Sequence, residues 1–276
     1  MNQYPHRHEH SLLNYPLKIL TYLGEQKIVT GDQVKDYCFN NASCRYVWRI
    51  LPKLRDAKLI EARNLYFPGE RPRSGFSLTK SGYNELKDQG QLELGELQIK
   101  SNTPYHDIVL NDLRNFFSRL NECHYFVSEN ILRSKLLENN IPELAAFRSH
   151  RCDSAVLMSV KNGTFWLALE YERTQKSHER YVQRIKNWYQ AENLPGVLLV
   201  TESEALIQVL SEIDRNTLPH LNRKILYISK NNLLSSSGIV QFLNCKNDPL
   251  SFTLSTKMKI HFPLLDQSFA KSFSKK

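Results

Sequence analysis

Three carboxylates near the middle of the chain are the residues best placed to do chemistry. Asp153, Glu170 and Glu172 bracket two apolar runs in DSAVLMSVKNGTFWLALEYE. Between the runs stands Asn162-Gly163, a pair that favours a type I′ turn because both central residues of that turn need positive φ. A two-residue turn there pairs Lys161 with Thr164, Ser159 with Trp166, Leu157 with Ala168, Ala155 with Glu170 and Asp153 with Glu172. Side chains alternate along a strand, so Asp153, Glu170 and Glu172 are expected on one face.

Three acids on one patch repel each other, and burying even one unpaired charge costs on the order of several kcal/mol. Raised pKa values, basic neighbours or a divalent cation must compensate. Oxygen ligands suit Mg²⁺ or Mn²⁺. Asp153 and Glu170 are the candidate metal ligands, with the carbonyl of Tyr171. Such an ion lowers the pKa of a bound water and neutralises a phosphate. Glu172 is then the residue to orient that water or take its proton. The plainer alternative leaves the open end of the hairpin in water, with Arg151 and Arg173 as partners of the acids.

The surrounding elements must hold this patch. PYHDIVLNDLRNFFSRL carries a broad apolar face and reads as a helix, HYFVSENIL as a strand, and residues 133–150 as irregular or helical. After the hairpin, SHERYVQRIKNWYQAEN reads as a helix with Tyr181, Ile185, Trp188 and Tyr189 packed beneath it, PGVLLVTES as a strand, and RKILYIS as a further strand. NNLLSSSG is a loop or short helix, and residues 238–254 contain edge strands. The basic tail FAKSFSKK could touch nucleic acid nonspecifically.

The first ninety residues have a different pattern. Residues 12–24 read as a helix, Thr30 as the cap of a second, and Val47, Leu51 and Leu54 recur at the spacing of a third. Pro52 predicts a kink or early break in that third helix. AKLIEARNLYF and GFSLT read as strands around a loop PGERPRS, and Thr79 caps a closing helix. Three helices followed by a two-stranded ribbon and a helix resemble bacterial winged-helix domains. In such a domain Arg45, Arg49 and Lys53 on the third helix would meet a DNA groove, and Arg71 and Arg73 at the wing tip its backbone. Winged helices also serve as protein-interaction modules, and that reading stays open.

A helix, a strand, then Asp153 and a sixteen-residue gap to Glu170-x-Glu172 resemble the PD-(D/E)xK nuclease superfamily. The resemblance spans roughly residues 104–230 and implies an αβββαβ core. Joined to the winged helix, it is similar to the replication-relaxation family of plasmids and mobile elements, which includes MobC-like mobilisation proteins. On that likeness His106 and Glu129 join Asp153, Glu170 and Glu172, with His106 as proton carrier or phosphate contact. The helix after the acidic strand, with Arg180, Tyr181, Arg184, Lys186 and Tyr189, would contact the DNA backbone through Arg180, Arg184 and Lys186. Most active members carry Lys where Glu172 stands, though some restriction endonucleases have Glu there. Lys176 is the candidate to supply the missing positive charge at the phosphate, with Arg173 as the other choice.

The totals agree with a DNA partner. The chain has 276 residues, a formal net charge of +9 and a pI near 9.2, which favour a polyanion. Five cysteines without a CxxC pair argue against a zinc ribbon and fit a reducing cytoplasm. No apolar leader or spanning run is present, so no membrane role is expected. His6, His8 and His10 alternate in HRHEH, a weak metal motif.

The expected architecture is therefore α+β: a flexible tail at 1–10, a winged helix-turn-helix at 11–90, a linker at 91–103 and an α/β nuclease-like domain at 104–276. The expected function is a DNA-binding protein of a plasmid or mobile element with a metal-dependent nuclease-like core, acting in DNA mobilisation, replication or processing. If it cuts, it is a Mg/Mn-dependent DNA endonuclease. The alternative is a non-catalytic regulator or relaxosome accessory factor with a degenerate nuclease fold. Expected partners are double-stranded DNA, a relaxase or other mobile-element protein, and a second copy in a homodimer.

Overall fold

Thr30 and Gln33 form a reciprocal capping box. Gln33 N–H donates to Thr30 Oγ1 at 3.3 Å, and Thr30 N–H donates to Gln33 Oε1 at 3.0 Å. The box starts the second helix of a chain whose computed structural model describes residues 15–39, 44–67, 71–88, 98–134, 142–160, 163–220 and 224–255. The chain is a mixed α and β protein and divides into two units, Met1–Ile108 and Val109–Lys276. Among the described residues no helix is long and apolar enough to cross a membrane. The expected HRHEH metal motif, the tail FAKSFSKK and Asn162 lie outside the described residues.

In the first unit the order is α1 (Tyr15–Gln26), β1 (Val29–Thr30), α2 (Gly31–Phe39), α3 (Cys44–Asp56), β2 (Ile60–Leu65), β3 (Arg73–Leu78) and α4 (Lys80–Asp88). The three strands form an antiparallel sheet in the order β1-β3-β2. Ile19, Tyr22, Leu23, Val47, Leu51, Ile60, Leu78 and Leu86 make its core, and Tyr22 stacks on Tyr37 with ring centroids 4.7 Å apart. Contrary to the expected break, α3 runs unbroken through Pro52. The hydrogen bond that Pro52 lacks belongs to the carbonyl of Trp48, and both residues are exposed, so water can serve that carbonyl.

Thr79 caps α4 as expected, accepting from Gly82 N–H at 3.1 Å, while its own hydroxyl donates to the Lys58 carbonyl at 2.6 Å. Here the helix comes so close to the preceding turn that a Cβ at Gly82 would stand 2.0 Å from the Leu59 carbonyl oxygen. Gly82→Ala is therefore expected to lower the stability of this unit by about 3 kcal/mol, read from a denaturant midpoint of the purified protein.

Residues 98–108, divided in the expected scheme between the linker and the second domain, pack within the first unit. Arg63 Nη2 donates to the Ser101 carbonyl at 3.2 Å, Phe67 meets Tyr105 edge-on at 5.1 Å, and Ile108 joins Ile28, Leu65 and Phe67 in one cluster. Gln33 Nε2 also donates to the Ile108 carbonyl at 2.8 Å. Polar composition alone does not reveal that a segment packs against β2, and residues 98–108 belong to the first unit. The division falls inside α5 (Pro104–Phe117).

The second unit holds a seven-stranded sheet in the order β10-β9-β8-β7-β6-β5-β4. After α5 come β4 (Cys123–Ser128), a short α6 (Glu129–Leu132), α7 (Ala145–Ser149), β5 (Ser154–Val160), β6 (Gly163–Glu172), α8 (His178–Gln190), β7 (Val197–Thr201), α9 (Glu204–Thr217), β8 (Ile225–Ser229), α10 (Lys230–Ser235), β9 (Ile239–Leu243) and β10 (Pro249–Thr253). β4, β5 and β6 form an antiparallel meander, and β6, β7 and β8 run parallel. The strand expected over HYFVSENIL stops at Ser128, because Glu129 opens a helical turn and pairs with Arg133. Helix α9 was not among the expectations. Its signature is Ser203, whose hydroxyl accepts from Leu206 N–H, followed by buried Leu206, Leu210 and Ile213.

The hairpin pairs Val160 with Gly163, Ser159 with Thr164, Leu157 with Trp166 and Ala155 with Ala168. This is two residues away from the expected register, so Gly163, with φ of +145°, begins β6 rather than sitting in a turn ahead of it. A shift of two leaves every side chain on its expected face, since the strand repeats with period two. What changes is the partner. Continuing the register sets Asp153 opposite Glu170 rather than Glu172.

Candidate functional site

The parallel strands and the start of β5 bring acidic and basic residues to one end of the sheet. Ser128 pairs with Ser154, and Ser154 with Leu169. Glu129, Asp153 and Glu170 thus follow at adjacent positions across β4, β5 and β6. Glu170 and Glu172 lie beside Leu199 and Thr201 of β7. The C-terminal ends of parallel strands are where open α/β sheets bind ligands.

Glu170 and Glu172 are 1% and 4% exposed, which makes their partners decisive. Arg184 Nη2 donates to Glu170 Oε2, and its Nη1 lies 3.5 Å from Glu172 Oε2. Lys176 Nζ donates to that same Glu172 oxygen at 2.5 Å. Asp153 Oδ2 accepts the backbone N–H of Tyr171 at 2.9 Å, holding the end of β6 against the start of β5. Glu170 and Glu172 are therefore partnered by Arg184 and Lys176.

Arg184 and Lys176 are set against Glu170 and Glu172, and Asp153 holds a backbone N–H beside them. Burial pushes the Glu170 carboxyl up to about 8, with Arg184 opposing the rise and Asp153 adding to it. Burial works against the charge of Arg184, but Glu170, Asp153 and Glu172 outweigh it and hold its pKa above the ordinary value. The buried Cys152 thiol lies beside Glu170, and burial, reinforced by that carboxyl, pushes its pKa well up. It is thereby kept as a thiol rather than a nucleophilic thiolate.

The raised pKa of Glu170 has a stability consequence. The unfolded chain releases this proton at lower pH than the folded one, so stability from this group is fullest below about 4.5 and is lost as pH rises toward about 8. With chelator present, the melting temperature of the wild type is expected to fall across that window relative to Glu170→Gln. Parallel melting curves across that window would remove the argument.

Local packing explains how Lys176 and Arg184 reach the acids. Tyr181 Oη accepts from Lys176 N–H at 3.1 Å and donates to the Thr174 carbonyl at 3.2 Å, pinning the loop between β6 and α8. Ser177 caps α8 through Arg180 N–H at 3.4 Å. Tyr181, Ile185, Trp188 and Tyr189 are the buried side of α8, as expected. Arg184 stands three residues after Tyr181 and four before Trp188, so it borders that side, with its guanidinium 4.8 Å from the Trp188 ring centroid. Arg184, expected at DNA, is turned to the carboxylates here, whereas Arg180 and Lys186 are exposed. The spacing Tyr181, Arg184, Trp188 was the signal in the sequence.

On the opposite face Tyr171 Oη donates to Glu202 Oε2, and Lys230 Nζ donates to Glu202 Oε1 at 2.5 Å. These contacts tie together the ends of β6, β7 and β8. Glu129 pairs with Arg133. His106 belongs to the first unit, with Nδ1 3.8 Å from Asp107 Oδ1. Arg45, Arg49 and Lys53 are exposed along α3 beside Trp48, which is 53% exposed, and Arg71 and Arg73 are exposed at and beside the start of β3.

Whether these residues suit a divalent cation turns on Glu170 Oε1, which is buried and meets no hydrogen-bond partner. Asp153 stands opposite it in the register. Among the described residues no group of three or more His, Cys, Asp or Glu is gathered for an ion. The carboxylates these residues could offer an ion are Asp153 and Glu170, and water or substrate oxygens would have to complete its shell, as Mg²⁺ accepts. No protein-family model, no curated protein and no solved structure matches this chain.

Proposed function

We propose that the chain is a DNA-binding protein with a metal-dependent PD-(D/E)xK nuclease-like core, of the replication-relaxation, MobC-like kind, acting on plasmid or mobile-element DNA. The observation that carries this reading is the order α5-β4-β5-β6-α8-β7, an αβββαβ succession once the short helices α6 and α7 between β4 and β5 are set aside, with Asp153, Glu170, Glu172 and Lys176 at one end of its sheet. The first unit adds support. Its order of three helices, a two-stranded ribbon and a closing helix, with basic residues exposed on α3, suits a winged helix.

In this reading Asp153 and Glu170 would hold Mg²⁺ or Mn²⁺. The ion, when bound, supplies charge neutralisation at the scissile phosphate and a water of lowered pKa. Glu172 orients the attacking water. Lys176, already on Glu172, carries the positive charge to the phosphate that a lysine at position 172 would otherwise bring. The exposed Arg180 and Lys186 hold the DNA backbone beside the site.

A second reading has its own observation. Arg184 and Lys176 balance most of the acidic charge without a metal, as expected of a DNA-binding regulator or relaxosome accessory factor that has lost catalysis. Incubating the full chain with supercoiled plasmid and Mn²⁺ separates the two. Open-circular or linear product that vanishes with chelator supports the enzyme. Salt-sensitive DNA binding with no product in any DNA form supports the regulator.

A further inference from the structure

We propose that Arg184 is the resident cation of the carboxylate site, so that the site takes up a divalent ion only when a DNA phosphate draws Arg184 away. The inference rests on the nuclease-like reading above and adds a regulation of the same site.

The geometry makes Arg184 and a metal ion competitors. The guanidinium bridges Glu170 Oε2 and Glu172 Oε2, leaving Glu170 Oε1 buried and without a partner. An ion bound at Oε1 and Asp153 would sit within one carboxylate's width of the guanidinium, and two cations so close in a buried place repel. Arg184 also has somewhere to go. Its side chain is 30% exposed, against 1% for Glu170, so it spans the boundary between the site and solvent. Arg180, one helical turn earlier on α8, is exposed and would bring a DNA phosphate to that boundary. A phosphate offers a guanidinium the same two-oxygen geometry as the carboxylates it now bridges. Moving Arg184 onto phosphate takes away the positive charge that competes with the ion for Glu170 and Glu172. Binding of metal and binding of DNA then strengthen each other by equal factors.

The test is calorimetric titration of Mn²⁺ into the full chain, as wild type, Arg184→Met and Arg184→Lys, with and without a 20-base-pair duplex. It is run in the cold, and the duplex is checked for integrity afterwards. The duplex is expected to tighten Mn²⁺ binding to the wild type by about tenfold or more. Arg184→Met is expected to bind Mn²⁺ tightly without DNA and to gain little from the duplex, while Arg184→Lys behaves as the wild type. Melting in chelator guards against misfolding. Arg184→Met should melt below the wild type, and Mn²⁺ should recover the difference. If wild type binds Mn²⁺ and Arg184→Met binds it equally or more weakly, Arg184 is no competitor; the inference fails and the nuclease-like reading stands. Failure of Mn²⁺ to rescue Arg184→Met also overturns the inference. If no form binds Mn²⁺ with or without DNA, the metal reading falls and takes the inference with it.

Discussion

Asp153→Ala and Glu170→Gln are each expected to reduce Mn²⁺-dependent nicking of supercoiled plasmid by at least about 100-fold, with DNA affinity changed by no more than about twofold. Asp153 is partly exposed and Glu170 is buried, opposite each other across β5 and β6. Each removes one of the two carboxylates proposed to hold the ion. They differ in structural effect, which makes the pair informative. Asp153 also accepts the Tyr171 N–H, so Asp153→Ala unties the end of β6 as well, whereas Glu170→Gln keeps side-chain volume and a hydrogen-bond acceptor for Arg184. Loss of nicking in Glu170→Gln, with an unchanged circular dichroism spectrum and unchanged mobility shift, would place the effect on chemistry rather than folding. Full activity in either variant would leave the proposed active centre without its ligands.

Neutralising Arg45, Arg49 and Lys53 together is expected to weaken duplex binding by about 100-fold at 0.1 M salt and to reduce the slope of log affinity against log salt by about 2 to 3. The three side chains are exposed on α3, and Val47, Leu51 and Leu54 carry the packing on its other side. The variant should therefore fold. Fluorescence anisotropy across a salt series measures both quantities. Wild-type affinity that ignores salt, or a triple variant that binds like the wild type, would favour the protein-interaction reading of the first unit. Exposed Trp48 and Tyr66, at 53% and 73%, would then be the contacts to examine.

The wild type has a third independent handle in Glu170. Its elevated pKa, the bridging Arg184 and the partnerless Oε1 all concern the same carboxyl, but thermal stability against pH, metal calorimetry and nicking report on it separately. Agreement among the three would be hard to reach by a carboxylate whose role is only to hold the fold.

Much of this arrangement was legible in the residues alone, because its determinants are local. Thr30 and Thr79 cap helices through atoms three residues away, and the apolar runs of β5 to β8 declare strands by composition. The common face of Glu170 and Glu172 follows from the two-residue repeat of a strand, and so survived a register that was two residues out. Three features were decided only by the folded chain. Register depends on how β5 meets both β4 and β6, not on the turn dipeptide by itself. The boundary between the units depends on which surface residues 98–108 cover. The partner of Glu170 is fourteen residues away on a helix that must first pack across the sheet before Arg184 can turn inward. Periodicity marks a side chain's direction within its own element. It does not say which charge another element will set against it, since that is fixed by packing between elements far apart in sequence.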